Sequence, residues 1–217
     1  AIALSEQYPS ICYATVGLHP HHASDYSQSL GSELREMLRH RNVVAVGECG
    51  LDFNRNFSTR QEQIRAFEAQ LEIAIELQKP VFLHQRDAHD DFISIIKSCR
   101  SDLGQLVAHC FTGSIEEVND CVTLDMYIGV TGWICDERRG MSLQQAVKHI
   151  PVDRVMIESD APYLLPRDLQ EKPLAKNRNE PCYLPHIASA VARHMGVEEK
   201  QLITAAYNNS CKFFNLG

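Results

Sequence analysis

Five polar residues close successive apolar runs in this chain: His19 in VGLHPHH, Glu48 in VVAVGECGLD, His84 in PVFLHQRDA, His109 in LVAHCFTGS and Asp160 in VMIESDAP. Each run is short, rich in β-branched residues and followed by glycine, proline or polar turn residues. The five are separated by 29, 36, 25 and 51 residues, and the longest interval holds one further apolar run, MYIGVTGW. A strand with its crossover helix takes roughly 30 residues, so the spacing predicts repeating βα units with a polar group at nearly every strand end. In a (β/α)8 barrel the working groups gather at the C-terminal ends of the strands. Two imidazoles and two carboxylates brought to that face make a donor set for a divalent metal. The chain therefore reads as α/β, a TIM-type barrel of the metal-dependent hydrolase kind.

The apolar runs at 11–18, 43–47, 80–84, 105–109, 126–131 and 154–158 are continuous rather than alternating, as in parallel strands buried on both faces. Helical periodicity lies between them. It is clearest over 59–78, where Ile64, Phe67, Leu71, Ala74 and Ile75 share one face. Ser58 with Gln61, or Thr59 with Glu62, forms a capping box opening that helix, and Ser114 with Glu117 forms another after HCFTG. Segment 162–185 carries five prolines and no sustained period, which predicts a long ordered loop of functional kind. Three helices are expected after it, near 185–195, 198–206 and 208–214. Six strands are countable where a closed barrel has eight, and the opening AIALSEQYP reads as the end of a helix. The expectation is one hydrolase domain over 1–217, lacking the first two strands of the barrel, whose exposed strand edges drive association.

Composition narrows the function. With 44% hydrophobic residues in 217, one sizeable core is affordable, and a net charge of −7 excludes nucleic-acid binding by a broad basic face. A phosphate substrate would need a metal or a few local arginines. No run approaches the length of a membrane span, and no basic-then-apolar start marks a secretory signal. Eight scattered cysteines without a CxxC pair predict reduced thiols and a cytoplasmic protein.

Glu48 stands between Gly47 and Gly50, and burying its carboxylate is costly unless a metal or an arginine pairs with it. Asp160 can bind metal, orient water and accept its proton, or else cap the turn into Pro162. Glu158, two residues earlier, points the same way as its partner, and Asp52 holds a turn through backbone amides. His19 is placed beside a substrate phosphate, and His21 and His22 are expected to face solvent. Arg86, Arg138, Arg139 and Arg178 follow strand ends or sit on the long loop, where they could hold phosphate oxygens. Trp133 and Tyr163 at the same rim suit either base stacking or core packing.

With GLHPHH, GECGLDFNRNFSTRQEQ, PVFLHQRDA, HCFTGS, YIGVTGWICDERRG and IESDAPYLLPRD in order, the chain resembles the TatD family of metal-dependent nucleases over essentially its whole length. The resemblance implies an amidohydrolase-type TIM barrel and phosphodiester hydrolysis by a 3′→5′ exonuclease on single-stranded DNA, with RNA as a second substrate and DNA repair or turnover as the role. It implies a divalent cofactor, Mg²⁺ first and Mn²⁺ or Zn²⁺ as alternatives. Glu48, His84, His109 and Asp160 match metal ligands. His19, Glu48 and Asp160 match catalytic positions. Many members carry an HxH pair on a first strand that this sequence lacks, which leaves one or two ions open. Two alternatives stand beside this reading. One is a small-molecule amidohydrolase or phosphotriesterase on the same barrel, although Lys79 lies at a strand start rather than the strand end where a bridging carbamylated lysine belongs. The other is an inactive metal-binding scaffold.

Overall fold

The computed structural model describes residues 1–170 and 177–216. Six strands are hydrogen-bonded in chain order: β1 (Ala14–Val16), β2 (Val43–Asp52), β3 (Val81–Arg86), β4 (Leu106–Ala108), β5 (Tyr127–Val130) and β6 (Val155–Ile157). The pairs β1–β2, β2–β3 and β5–β6 are parallel. Among the described residues, eight helices accompany them: α1 (Ile2–Gln7), α2 (Gln28–Leu38), α3 (Arg60–Leu77), α4 (His89–Cys99), α5 (Ile115–Thr123), α6 (Met141–Ala146), α7 (Leu184–Met195) and α8 (Glu199–Phe214). All six apolar runs are strands, and the α/β parallel class expected from them holds. The chain divides into two compact units, Ala1–Val107 with Phe213–Gly217, and Ala108–Lys212.

In the first unit α3 begins at Thr59, whose side chain accepts from the Glu62 amide while Glu62 returns to the Thr59 amide. Thr59 rather than Ser58 is thus the cap. Ser58 is buried instead, its hydroxyl accepting from the Ser24 amide. The buried face of α3 holds Ala66, Phe67, Leu71, Ile73 and Ala74, with Phe67 stacked on Phe92 of α4 at 5.7 Å. It also holds Gln63 and Gln70, each 1% exposed. Such amides are buried only when their hydrogen bonds are met. Gln63 trades bonds with both backbone groups of Asp52, and Gln70 does so with Leu18. These two side chains tie the helix to the segments carrying site residues.

Strand β2 runs past the expected 43–47 to Asp52. Gly47 and Gly50 have φ near +139° and +143°, and a Cβ at either would strike the carbonyl of Phe82 or His84 on β3. Glycine at both positions lets β2 stay paired through this stretch. Gly47 pairs with Phe82 and Cys49 with Leu83, so Glu48 is one residue too many, a β-bulge.

In the second unit Ser114 and Glu117 form the expected capping box of α5. Val118, Met126, Ile128, Leu143, Val147, Val155, Ile187 and Val191 form its core. The two expected C-terminal helices 198–206 and 208–214 are one, α8. The expected boundary near residue 207 lies within it. Asn209 is buried and donates to the carbonyls of Val152 and Val155 at 3.0 and 2.8 Å. The proline-rich segment 162–185 has a single 3₁₀ turn, Pro181–Tyr183, among its described residues, and 171–176 lie outside them. No helix among the described residues is long and apolar enough to cross a membrane.

Candidate metal centre

The first unit assembles His19, Glu48, His84, His21 and Asp52. The bulge frees Glu48 from the regular alternation of β2, and its Oε1 lies 2.7 Å from His84 Nδ1 and 3.5 Å from His19 Nε2. One donor atom from each of His19, Glu48 and His84 falls within 4.8 Å of the others. His84 Nε2 is buried and makes no hydrogen bond, lying 3.6 Å from Asp52 Oδ2. Burial alone lowers the His84 imidazole pKa, but the Asp52 and Glu48 carboxylates outweigh it and hold it above its ordinary value. Burial alone raises the Asp52 carboxyl, yet His84, the Arg55 amide and His21 draw it far below the carboxylate range.

Asp52 does hold its turn, accepting from the Asn54 and Arg55 amides at 3.0 and 2.9 Å. Its other oxygen lies 2.7 Å from His21 Nε2. The solvent-facing role expected for His21 is therefore corrected. Pro20 opens a 3₁₀ turn, Pro20–Asp25, that folds His21 back onto Asp52, with its ring edge-on to Phe57 at 4.9 Å. His22 is exposed, as expected.

The turn also decides what His19 can do. His19 caps it, with Nδ1 accepting from the His21 amide at 3.1 Å. A neutral imidazole has one lone pair and one N–H. With the lone pair at Nδ1 engaged, Nε2 carries the proton and is a donor, not a metal ligand.

The second unit assembles His109, Glu158 and Asp160. His109 Nδ1 lies 2.7 Å from Glu158 Oε2, and His109 Nε2 lies 3.6 Å from Asp160 Oδ1. Glu158 also accepts from the Cys110 amide at 2.9 Å, while its Oε1 is buried without a hydrogen bond. Its carboxylate lies against Gly129, in space that a Cβ there would fill. Asp160 is left-handed at φ 55°, which aspartate tolerates. The turn after it is capped by Ser159, whose hydroxyl accepts from the Ala161 amide, so the Asp160 carboxylate is not spent on that turn. Asn179, buried and unforeseen in the sequence, donates to the carbonyls of Ser159 and Pro162 and holds this strand end.

A profile described as "TatD related DNase" matches residues 1–215. The chain is 51% identical over 216 residues to "3'-5' ssDNA/RNA exonuclease TatD" of Edwardsiella piscicida, and 50% identical to the protein of that name from Pectobacterium atrosepticum, spanning 100% of this chain and 83% of each relative. The chain belongs to the TatD family. Among solved structures, the TatD homologue YjjV of Escherichia coli superposes with a TM-score of 0.87 at 29% identity, over 100% of this chain and 81% of that one. The α/β fold of that family follows, with six parallel-class strands among the described residues.

Metal dependence goes with TatD membership, and the residues fit a metal. Both clusters pair imidazole with carboxylate, a donor set for hard or borderline divalent ions. A buried imidazole nitrogen and a buried carboxylate oxygen, each without a hydrogen bond, are groups that such an ion would satisfy. The four rim arginines differ. Arg86 is exposed at the end of β3, and Arg138 and Arg178 are exposed with only long contacts to Glu137 and Glu180, each 3.8 Å. Arg139 is bound to Asp136 at 2.8 Å and stacked 4.3 Å from the Trp133 ring, which sets Trp133 as a platform for an arginine.

Proposed function

We propose that this chain is a 3′→5′ exonuclease that hydrolyses phosphodiester bonds in single-stranded DNA and RNA. The observation that carries the reading is a repeated one: in each unit an expected histidine ligand lies 2.7 Å from a carboxylate, His84 from the expected ligand Glu48 and His109 from Glu158, the neighbour of Asp160. The names and half-identical sequences of the relatives support the substrate class. Glu48 and His84 from the first unit, and His109 and Asp160 from the second, are the proposed metal ligands. Mg²⁺ is the proposed ion, with Mn²⁺ or Zn²⁺ as substitutes and one or two ions bound.

When bound, the ion supplies Lewis acidity at a phosphoryl oxygen and acidifies water. The residues supply the rest. Asp160 orients the attacking water and takes its proton. Glu48 sets the His84 ring through Nδ1, and Glu158 sets His109 in the same way. His19 presents an Nε2–H to a phosphate or leaving-group oxygen. Arg86, Arg138 and Arg178 are proposed to hold neighbouring phosphates, and Arg139 to act from its stacked position on Trp133.

We further propose a single hydrolase domain over 1–217, supported by a family match continuous over residues 1–215. A cytoplasmic location is proposed from the eight cysteines outside disulfides, and a role in DNA repair or turnover is proposed with the exonuclease activity. The amidohydrolase alternative is disfavoured by Lys79, whose ammonium donates to the carbonyl of Val43 at the start of β2, away from the strand end. Oligonucleotides labelled at either end test the proposal. Shortening from the 3′ end that EDTA stops is expected. Inertness toward DNA and RNA with turnover of small amides or lactones would overturn it.

A further inference from the structure

A second group of ligating side chains lies in the second unit, outside the set assigned to hydrolysis. Cys135 ends the 3₁₀ turn Gly132–Cys135, Asp168 lies on the long loop after β6, and His186 is in the first turn of α7. One ligating atom from each falls within 4.8 Å of the others. His186 Nε2 lies 2.7 Å from Asp168 Oδ1. The thiol is on the inner side, with Cys135 5% exposed, while the Asp168 and His186 side chains are 41% and 35% exposed. The cluster is therefore closed behind and open in front. We propose that Cys135, Asp168 and His186 hold a second divalent ion, of the zinc class, with water in the open position.

The chemistry separates this site from the hydrolytic one. A thiolate selects zinc, cobalt or cadmium over magnesium, whereas imidazole and carboxylate alone do not discriminate so strongly. Ligands around a tetrahedral zinc at about 2.0–2.3 Å are separated by roughly 3.5 Å. The ligating atoms, all within 4.8 Å of one another, are close to that spacing, and the 2.7 Å His186–Asp168 contact would open on binding. A nucleophilic thiol is the competing use of a Cys–His–Asp group. Cys135 is only 5% exposed, whereas a nucleophilic thiol needs access to its substrate. Metal binding would place a divalent cation directly against the thiolate. The proton balance is simple. The thiol gives its proton to solvent as the ion binds.

The placement gives the site a purpose. It joins three segments far apart in sequence, and its ligands adjoin Asp136 and Arg167, which line a cavity of about 550 Å³ together with Trp133 and Arg139. Arg167 lies 3.8 Å from Asp136. An ion on Cys135 and Asp168 would fix the loop that carries Arg167 against the turn that carries Trp133.

Cobalt substitution tests this independently of activity. Titrating the protein with Co²⁺ should produce saturable thiolate-to-cobalt charge-transfer absorption with the amplitude of one thiolate ligand per protein. The band should survive E48Q and C182S, the latter removing an exposed cysteine, and vanish in C135S. No band in the unaltered protein, or one that persists in C135S or disappears in C182S, would overturn the assignment. Should C135S fail to fold, D168N and H186A at the open side should each weaken Co²⁺ binding at least tenfold. Unchanged affinity in both would overturn it equally. None of these readouts depends on the exonuclease proposal.

Discussion

Gln70 brackets Leu18 with both ends of its amide. Its Oε1 accepts from the Leu18 N–H at 2.6 Å and its Nε2 donates to the Leu18 carbonyl at 3.1 Å. The residue thus held is the one before His19, so a buried position on α3 sets where a rim imidazole begins. Gln70→Leu keeps the volume and removes both bonds. At about 1 kcal/mol each, the loss should be about 2 kcal/mol in chemical denaturation, with a larger proportional fall in turnover than in metal affinity. Unchanged stability would mean that Leu18 finds other partners.

His19 should separate binding from turnover. Because its Nδ1 is engaged by the His21 amide, His19→Ala should leave Mn²⁺ affinity within about threefold while lowering the hydrolytic rate by about 10²-fold, the scale of one lost proton donor. His84→Ala should instead weaken Mn²⁺ at least tenfold. Titration calorimetry beside a nuclease assay distinguishes them, and equal losses of affinity would return His19 to the ligand set.

Acid should expose Asp136. Burial alone raises its carboxyl, but the amide of Arg138 and the side chain and amide of Arg139 outweigh this and hold it down to about 2 from an ordinary 3.8. A lowered carboxylate stabilises the folded state above its unfolded pKa and loses that contribution as pH falls through the folded one. The Asp136 share is therefore complete above pH 3.8 and disappears as pH falls through about 2. Asp136→Asn should lower stability at neutral pH and flatten the acid limb of the denaturation curve across that window. A parallel, undiminished limb would refute the assignment.

Gly129→Ala should act through Glu158. The new methyl would occupy the space of that carboxylate, so Glu158 must swing away and release both His109 and the Cys110 amide. Overpacking of this kind costs about 1–3 kcal/mol, visible in thermal melts. Metal affinity should fall with it. A melt within experimental error of the unaltered protein would show that Glu158 has room to spare.

Much of this was legible before any coordinates, and the reason is physical. Strands buried on both faces leave continuous apolar runs, and the polar residue that ends each run stands out against them; hence β1 to β6 and the residues His19, Glu48, His84, His109 and Asp160. What escaped was made of single side chains reaching across the chain. Gln63 and Gln70 look like ordinary polar positions of an amphipathic helix, yet both are buried against strand-end backbone. Asn209, in what reads as a separate last helix, is an anchor within α8. His21 seems a loop histidine until the turn begun by Pro20 delivers it to Asp52. Cys135, Asp168 and His186 share no period or motif, because they come from a 3₁₀ turn, a loop and a helix that no single periodicity spans.

The bulge at Glu48 makes the site sensitive to chain length as well as to residue identity. Removing Cys49 would let Glu48 take its place opposite Leu83, restoring regular pairing between β2 and β3. Cys49 is fully buried, so the carboxylate would then be driven into the apolar layer between strand and helix. A scan of substitutions would never find this dependence, since every residue type could be tried at Glu48 with the register intact. A scan of single-residue deletions would, and in related proteins the count of residues between Val46 and Gly50 should be held more strictly than their identities.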